Sequence, residues 1–217
     1  MRRLALTTVL VLAAAAPLAF ADNAPAAAAR VPQGTYTIDK PHTSLIFRVS
    51  HMGFSTFTGR FTRLDARLET DPSKLTASNL NVTIDPTSIE TDNAPEGFLD
   101  MLRGKGWLDS AEFPEMKFQS TRVELTAASQ IRVHGELTFH GVTKPIVLDA
   151  RYNGGYAGHP MDPHARIGFS ATGKFKRSDF GMTVGIPAPG SILGIGDEVE
   201  IVLETELSGP ALAVAKN

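Results

Sequence analysis

Cysteine is absent from the 217-residue chain. Its absence excludes disulfides, thiolate nucleophiles, Cys-ligated zinc, iron–sulfur clusters, CxxCH haem attachment and a lipid-anchoring lipobox cysteine. An excess of charge of one sign is lacking as well. Lys plus Arg number 21 against 23 Asp plus Glu, a net charge of −2, which argues against a general nucleic-acid binder. Long apolar runs are scarce. The one run, Leu4–Ala16, is shorter than the roughly 20 residues of a membrane-spanning helix. With 42% hydrophobic and 20% charged residues, the composition excludes a collagen, a wholly disordered chain and a multi-span membrane protein.

What is present begins with an address. Met1-Arg2-Arg3 is a basic n-region, Leu4–Ala16 an apolar h-region, and Ala19-Phe20-Ala21 a small-x-small site. Residues 1–21 therefore read as a secretory signal peptide cut after Ala21, with the general and twin-arginine routes both open. The product is expected to be periplasmic, with no membrane span in the mature form. Residues 22–34 form an Ala/Pro-rich lead-in, expected to be flexible. Residues 35–208 form one domain, followed by a tail at 209–217.

From Tyr36 onward apolar residues recur with period 2, the mark of strands with one wet and one dry face. Leu45, Phe47 and Val49 share a face, as do Leu80, Val82 and Ile84. The same holds for Ile131, Val133, Leu137 and Phe139, for Ile167, Phe169, Ala171 and Phe175, and for Val199, Ile201, Leu203 and Leu207. Between Phe57–Phe61 and Leu64–Leu68 the parity switches, which predicts a β-bulge near Arg63. One helix near residues 94–103 breaks the pattern. Its expected cap is Asn93, with Glu96 three residues on, Pro95 in the first turn and Gly104 and Gly106 ending it. About eight amphipathic strands predict an all-β sandwich or closed antiparallel barrel.

Catalytic signatures are missing: no GxSxG, HExxH, P-loop or post-strand GxGxxG occurs. The segment His159–His164 holds ligand residue types, but its two prolines and irregular spacing read as a surface loop, so no metal is expected. His134, Glu136 and His140 fall on a wet face. The inward rows hold Phe47, Phe57, Phe61, Met116, Phe118, Phe139, Ile167, Phe169 and Phe175, joined by Phe98 and Met101 from the helix. Such side chains make either a filled core or an apolar cavity wall. His51 continues the inward row of β-type residues, as a head-group contact or as a backbone-bonded core histidine. Arg177 and Asp179 suit a turn.

Five ordered blocks then carry a family resemblance. They are Gly34–Asp39 with His42–Phe61, Trp107–Ser120, Gly135–Pro145, Phe175–Met182, and Gly196–Glu206. Together they resemble the YceI-like family over roughly residues 35–208. The resemblance implies an extended, lipocalin-like barrel of about eight strands that binds a polyisoprenoid lipid or isoprenoid quinone in an elongated apolar pocket. It implies an exported carrier rather than an enzyme, with no cofactor and no catalytic residue. Homodimerisation stays open. The family motif has Tyr where Phe113 stands, and the lost hydroxyl bears on head-group preference. The competing readings are an enzyme acting on a small apolar substrate and a ligand-free envelope interaction protein.

Overall fold

The computed structural model describes residues 31–158 and 161–211. The expected signal peptide, residues 22–30, His159-Pro160 and residues 212–217 lie outside these. Ten strands form: β1 (Gly34–His51), β2 (Ser55–Phe61), β3 (Leu64–Thr70), β4 (Asn79–Ile84), β5 (Ile89–Glu90), β6 (Met116–Leu125), β7 (Gln130–Phe139), β8 (Val142–Tyr156), β9 (His164–Lys176) and β10 (Ile195–Ala211). One helix, α1 (Phe98–Arg103), interrupts them. Every pairing is antiparallel. Eight strands close in the order β1-β10-β9-β8-β7-β6-β4-β3 and back to β1. The eight-strand barrel with one short helix is thus as expected. Closure leaves neither β1 nor β10 with an unpaired edge.

β1 runs the length of the barrel and pairs with β10 from Thr37↔Ser208 to His51↔Ile195. Between Asp39 and Thr43 it bulges, four residues passing one step of β10. The odd insertion flips parity, so Tyr36 and Ile38 below the bulge and Leu45, Phe47 and Val49 above it all face inward. Thr43 closes the bulge by donating its hydroxyl to the Asp39 carbonyl at 2.9 Å.

Two local expectations are corrected. The parity switch near Arg63 is a strand break rather than a bulge. β2 ends at Phe61, β3 starts at Leu64, and the two lie against different stretches of β1. Backbone groups of Thr62 and Arg63 bond instead to Ser88 and Asp85. The helix is also shorter at its start than the sequence predicts. Asn93 has φ of 53° and cannot take the extended N-cap conformation; Gly97, at φ of 75°, occupies the cap with no side-chain bond.

The two ends of the barrel differ. At the end where β1 starts, Val31, Tyr36, Leu68, Ala165, Ile167 and Leu207 form a closed core. Outside it Arg166 bridges Asp39 and Asp162, and lies 3.5 Å from Glu206. These bonds hold the Asp39 and Asp162 carboxyls below the usual carboxylate range. Asp39, His42 and Glu206 are spaced as metal ligands could be, but Arg166 already supplies the positive charge there. At the other end β5 pairs with only two residues of β2, leaving the wall open between β5 and β6. Packing of α1 covers this gap, anchored by Arg103, which donates to the Thr87 and Ile89 carbonyls at 3.0 and 3.3 Å.

Tyr36 is 0% exposed, and its hydroxyl donates to the Pro32 carbonyl. Burial, reinforced by the nearby Tyr152, pushes its pKa up to about 12 from 10.0. The unfolded chain loses this proton first, so the neutral phenol favours the fold at any pH below the unfolded value. A spectrophotometric titration should therefore show one phenol ionising only near pH 12, a step that Tyr36→Phe removes. Stability should be flat below pH about 10 in this respect and fall as pH rises through about 12, as read by urea midpoints.

Candidate functional site

Inward rows of the eight strands enclose two apolar cavities along the barrel axis. The lower one, of about 140 Å³, lies toward the Tyr36 end between Leu64, Leu68, Phe118, Ile131, Phe169 and Leu203. The upper one, of about 290 Å³, lies toward the helix end between Phe47, Phe57, Phe98, Trp107, Phe139 and Phe175. Leu45, Ile84, Leu137 and Ile201 border both, so they form the waist between the two cavities.

Ring placement is made possible by glycines at close approach. A Cβ on Gly135 would lie 2.3 Å from Phe118 Cζ, and one on Gly59 would lie 2.5 Å from Phe47 Cζ. Each ring therefore lies flat against a neighbouring strand where any larger residue would push it into the lumen. Around the upper cavity the aromatics support one another. Phe47 lies 6.1 and 5.4 Å from Phe57 and Phe61, and Phe139 lies 5.9 and 5.5 Å from Phe175 and Phe180.

Of the residues singled out in the sequence, Phe47, Phe57, Phe61, Phe98, Met101, Met116, Phe139, Phe175 and His51 border the upper cavity. Phe118 and Phe169 border the lower one. Ile167 borders neither; it is packed in the closed core with Tyr36 and Leu207. His140 also departs from expectation. It is not on a wet face but forms the β7–β8 turn with Gly141, both at positive φ, 50° and 73°. Its Nδ1 donates to the Phe180 carbonyl at 3.1 Å, while Nε2 is buried with no partner among the described residues. Phe113 packs on this turn, 4.8 Å from the His140 ring, and does not border the lumen.

The residue whose role the sequence did not disclose is Arg177. It is 2% exposed and borders the upper cavity. Its Nε donates to the Gly196 carbonyl, Nη1 to those of Met182 and Val184, and Nη2 to that of Ile195, at 2.8–3.2 Å. The guanidinium also sits 5.7 Å above the Trp107 ring. Burial lowers its pKa, Asp197 opposing. Asp197 itself accepts from Ser178 N–H and Oγ at 2.9 and 2.8 Å. One cation thus holds both ends of the loop that joins β9 to β10. The turn reading of the motif is right locally, but the carbonyls lie up to 19 positions away in sequence. No spacing rule points to them.

The upper lining carries two titratable side chains, His51 and Arg177, and all but one of Arg177's N–H groups are committed to carbonyls. The remaining lining is almost entirely hydrocarbon. Such a wall cannot supply the two to four polar partners that an ordered water needs, whereas an apolar chain needs none.

A closed eight-stranded antiparallel barrel with an apolar interior belongs to the class of small β-barrels whose interior is either filled by side chains or shaped to hold one small ligand. Comparison with known proteins narrows this. A family model described as the YceI-like domain matches residues 36–207, and the chain belongs to that family. A UPF0312 protein of Vibrio cholerae is 34% identical over 175 residues, covering 80% of this chain and 86% of the relative. One from Yersinia pestis is 35% identical over 175 residues, covering 79% and 84%. The crystal structure of a Campylobacter jejuni YCEI protein superposes with a TM-score of 0.62 at 30% identity, covering 74% of this chain and 89% of the other. A polyisoprenoid binding domain from Saccharophagus degradans shares the fold, with a TM-score of 0.55 at 17% identity and coverage of 81% and 98%.

Replacing Arg177 by Met would remove the donors of four carbonyls, that of Met182 buried and the other three partly buried. Arg177→Met should cost on the order of 3 kcal/mol or more of stability. Arg177→Lys should recover only part, since one ammonium cannot reach all four acceptors. Urea unfolding of both variants beside the parent checks this.

Proposed function

We propose that this protein is an exported carrier that shields an isoprenoid lipid, with an isoprenoid quinone the favoured ligand, inside its barrel. The observation that carries the reading is the lumen itself: two apolar cavities meeting end to end at a shared waist, with titratable groups on the upper lining alone. A prenyl chain is linear, apolar and nearly insoluble, and each buried CH₂ contributes about 0.8 kcal/mol. Several units offset the ordering cost of binding. The tail would lie through the waist into the lower cavity, against Phe118 and Phe169, with the head group in the upper cavity near His51. The His51 ring makes no hydrogen bond among the described residues, so it is free to donate to a carbonyl oxygen. The description of the Saccharophagus degradans neighbour as a polyisoprenoid binding domain is consistent with this reading. Catalysis has less support, because no nucleophile stands beside a base on the lining.

Export rests on the n-, h- and small-x-small regions of residues 1–21. Terminal sequencing of the protein recovered from the periplasm should begin at Asp22; a chain still starting at Met1 would refute cleavage.

The single Trp of the chain, Trp107, borders the upper cavity and reports on occupancy. A quinone entering the lumen should quench its fluorescence. Ile201→Phe, at the waist, should leave affinity for a one- or two-unit prenyl quinone within about threefold while weakening a long-chain quinone about tenfold or more. Equal effects on both lengths would show that the tail does not pass the waist. No quenching by either quinone, with no lipid in an organic extract of the purified protein, would overturn the carrier reading.

A further inference from the structure

Among the described residues the most exposed apolar side chain, Met161 at 90%, lies next to Asp162 at the Tyr36 end, whereas at the helix end several such side chains gather. Phe54 is 75% exposed, Leu193 67% and Ile192 60%, with Met52 and Val184 beside them. They stand on ordered backbone. Met52 and Gly53, both at positive φ (53° and 66°), make a tight turn in which Phe54 N–H donates to the His51 carbonyl at 3.0 Å. Across from it, Pro189-Gly190 forms a turn closed by Ser191 N–H donating to Ala188 at 2.9 Å, with Gly190 at φ of 83°. The two turns are joined by Met52 N–H donating to the Gly194 carbonyl at 2.7 Å and by Ile192 packed over Gly53. Arg177 fixes the base of the second loop through its bonds to Met182, Val184 and Ile195.

Charge is missing from the same surface. Residues 182–195 contain no Asp, Glu, Lys, Arg or His, and residues 49–59 contain His51 alone. Elsewhere the barrel is covered by ion pairs such as Lys174–Glu198 and Arg132–Asp149. The rim is continuous with the lumen. Met182, Ile195 and Met101 border the upper cavity, and Met101 is also 46% exposed. The described chain both enters and leaves at the opposite end, where Val31 packs beside Leu207 and Ala211 pairs with His164.

We propose that this rim docks on the surface of a phospholipid bilayer, inserting Phe54, Ile192 and Leu193 among the acyl chains so that the cavity mouth faces the membrane. The committed occupant is the bilayer because of what the rim lacks. A rim without charged side chains avoids the largest desolvation penalty on entering the acyl boundary, and binding there follows apolar area rather than attraction to anionic headgroups. A protein partner would be expected to find polar groups at the edge of its patch, and this surface supplies few. The proposal rests on the carrier reading for its purpose: a ligand insoluble in water has to be collected from or delivered to a membrane. Its physical basis does not depend on that reading.

The test uses phosphatidylcholine vesicles without isoprenoid, the protein recovered from the periplasm and two variants of it recovered in the same way. All three share one N-terminus, so any lipid affinity of the residues before Val31 is common to all. Flotation should recover the parent with the vesicles, with under about a twofold change when salt is raised from about 0.05 to about 0.5 M. The combined variant Phe54→Ser, Ile192→Ser, Leu193→Ser should lose about tenfold or more in partitioning. Leu125→Ser, an exposed leucine at the other end, should change nothing. Trp107 quenching by a short-chain quinone in solution should be alike in all three, which confirms folded barrels and separates docking from ligand binding. Equal flotation of parent and rim variant would overturn the proposal, as would binding that high salt abolishes. A parent that sediments as a dimer, converts to monomer in the rim variant and does not float would assign the rim to a second copy instead. Failure of quenching with retained flotation would refute the carrier reading and leave the docking surface standing.

Discussion

The antiparallel pairing of β1 with β10 is the constraint on which the remaining structure depends, because it converts a long sheet into a ring. It spans the barrel from Thr37↔Ser208 to His51↔Ile195. Once the first and last strands are joined, each strand has one face that can only point inward, and its apolar row can only meet other apolar rows. A ring of eight strands has a wider interior than a two-layer sandwich. Bulges at Asp39/Thr43, Ser120/Arg122, Tyr152/Gly154 and Ser208/Ala211 let the strands bend around it.

A ring alone would collapse or fill. The lumen persists because bulky rings are laid along the wall rather than across it. Gly59 and Gly135 give up side chains so that Phe47 and Phe118 lie flat on neighbouring strands. The aromatics of the upper cavity brace one another at 5.3–6.1 Å through tilted and edge-to-face contacts, which fixes their orientation. Buried Arg177 serves the same end. Four carbonyl dipoles and the Trp107 face replace its water, and in exchange it ties the β9–β10 loop to the barrel mouth.

The ends of the barrel are built from different chemistry, and this gives the molecule a direction. At the Tyr36 end a packed core is capped by an ion network centred on Arg166. At the helix end the wall is interrupted between β5 and β6, α1 lies over the gap, and the β1–β2 turn and the 182–195 loop carry no Asp, Glu, Lys or Arg. One end is packed and capped by ion pairs; the other presents the apolar side chains of two uncharged turns to its surroundings.

Period-2 alternation was enough to identify most strands, their inward rows and the single helix, because pleating makes side-chain direction a local property of the chain. The inward lists built from that alternation contain nearly every aromatic of the two cavities. Alternation does not say whether an inward residue meets a void or another side chain. Ile167 and Phe169 share a row, yet Ile167 lies in closed core and Phe169 on the lower cavity, because the neighbours that decide come from strands far away in sequence. The helix start failed for a related reason: Asn93 has capping chemistry, but the turn it occupies holds it at positive φ. What the chain order determined was β structure, a lumen-facing set of side chains and the family. What only the tertiary structure decided was which of those side chains border the cavity, that Arg177 clamps the mouth, and that two uncharged turns remote in sequence meet on one rim. Ring closure brings together residues more than a hundred positions apart, and no local pattern encodes such a contact.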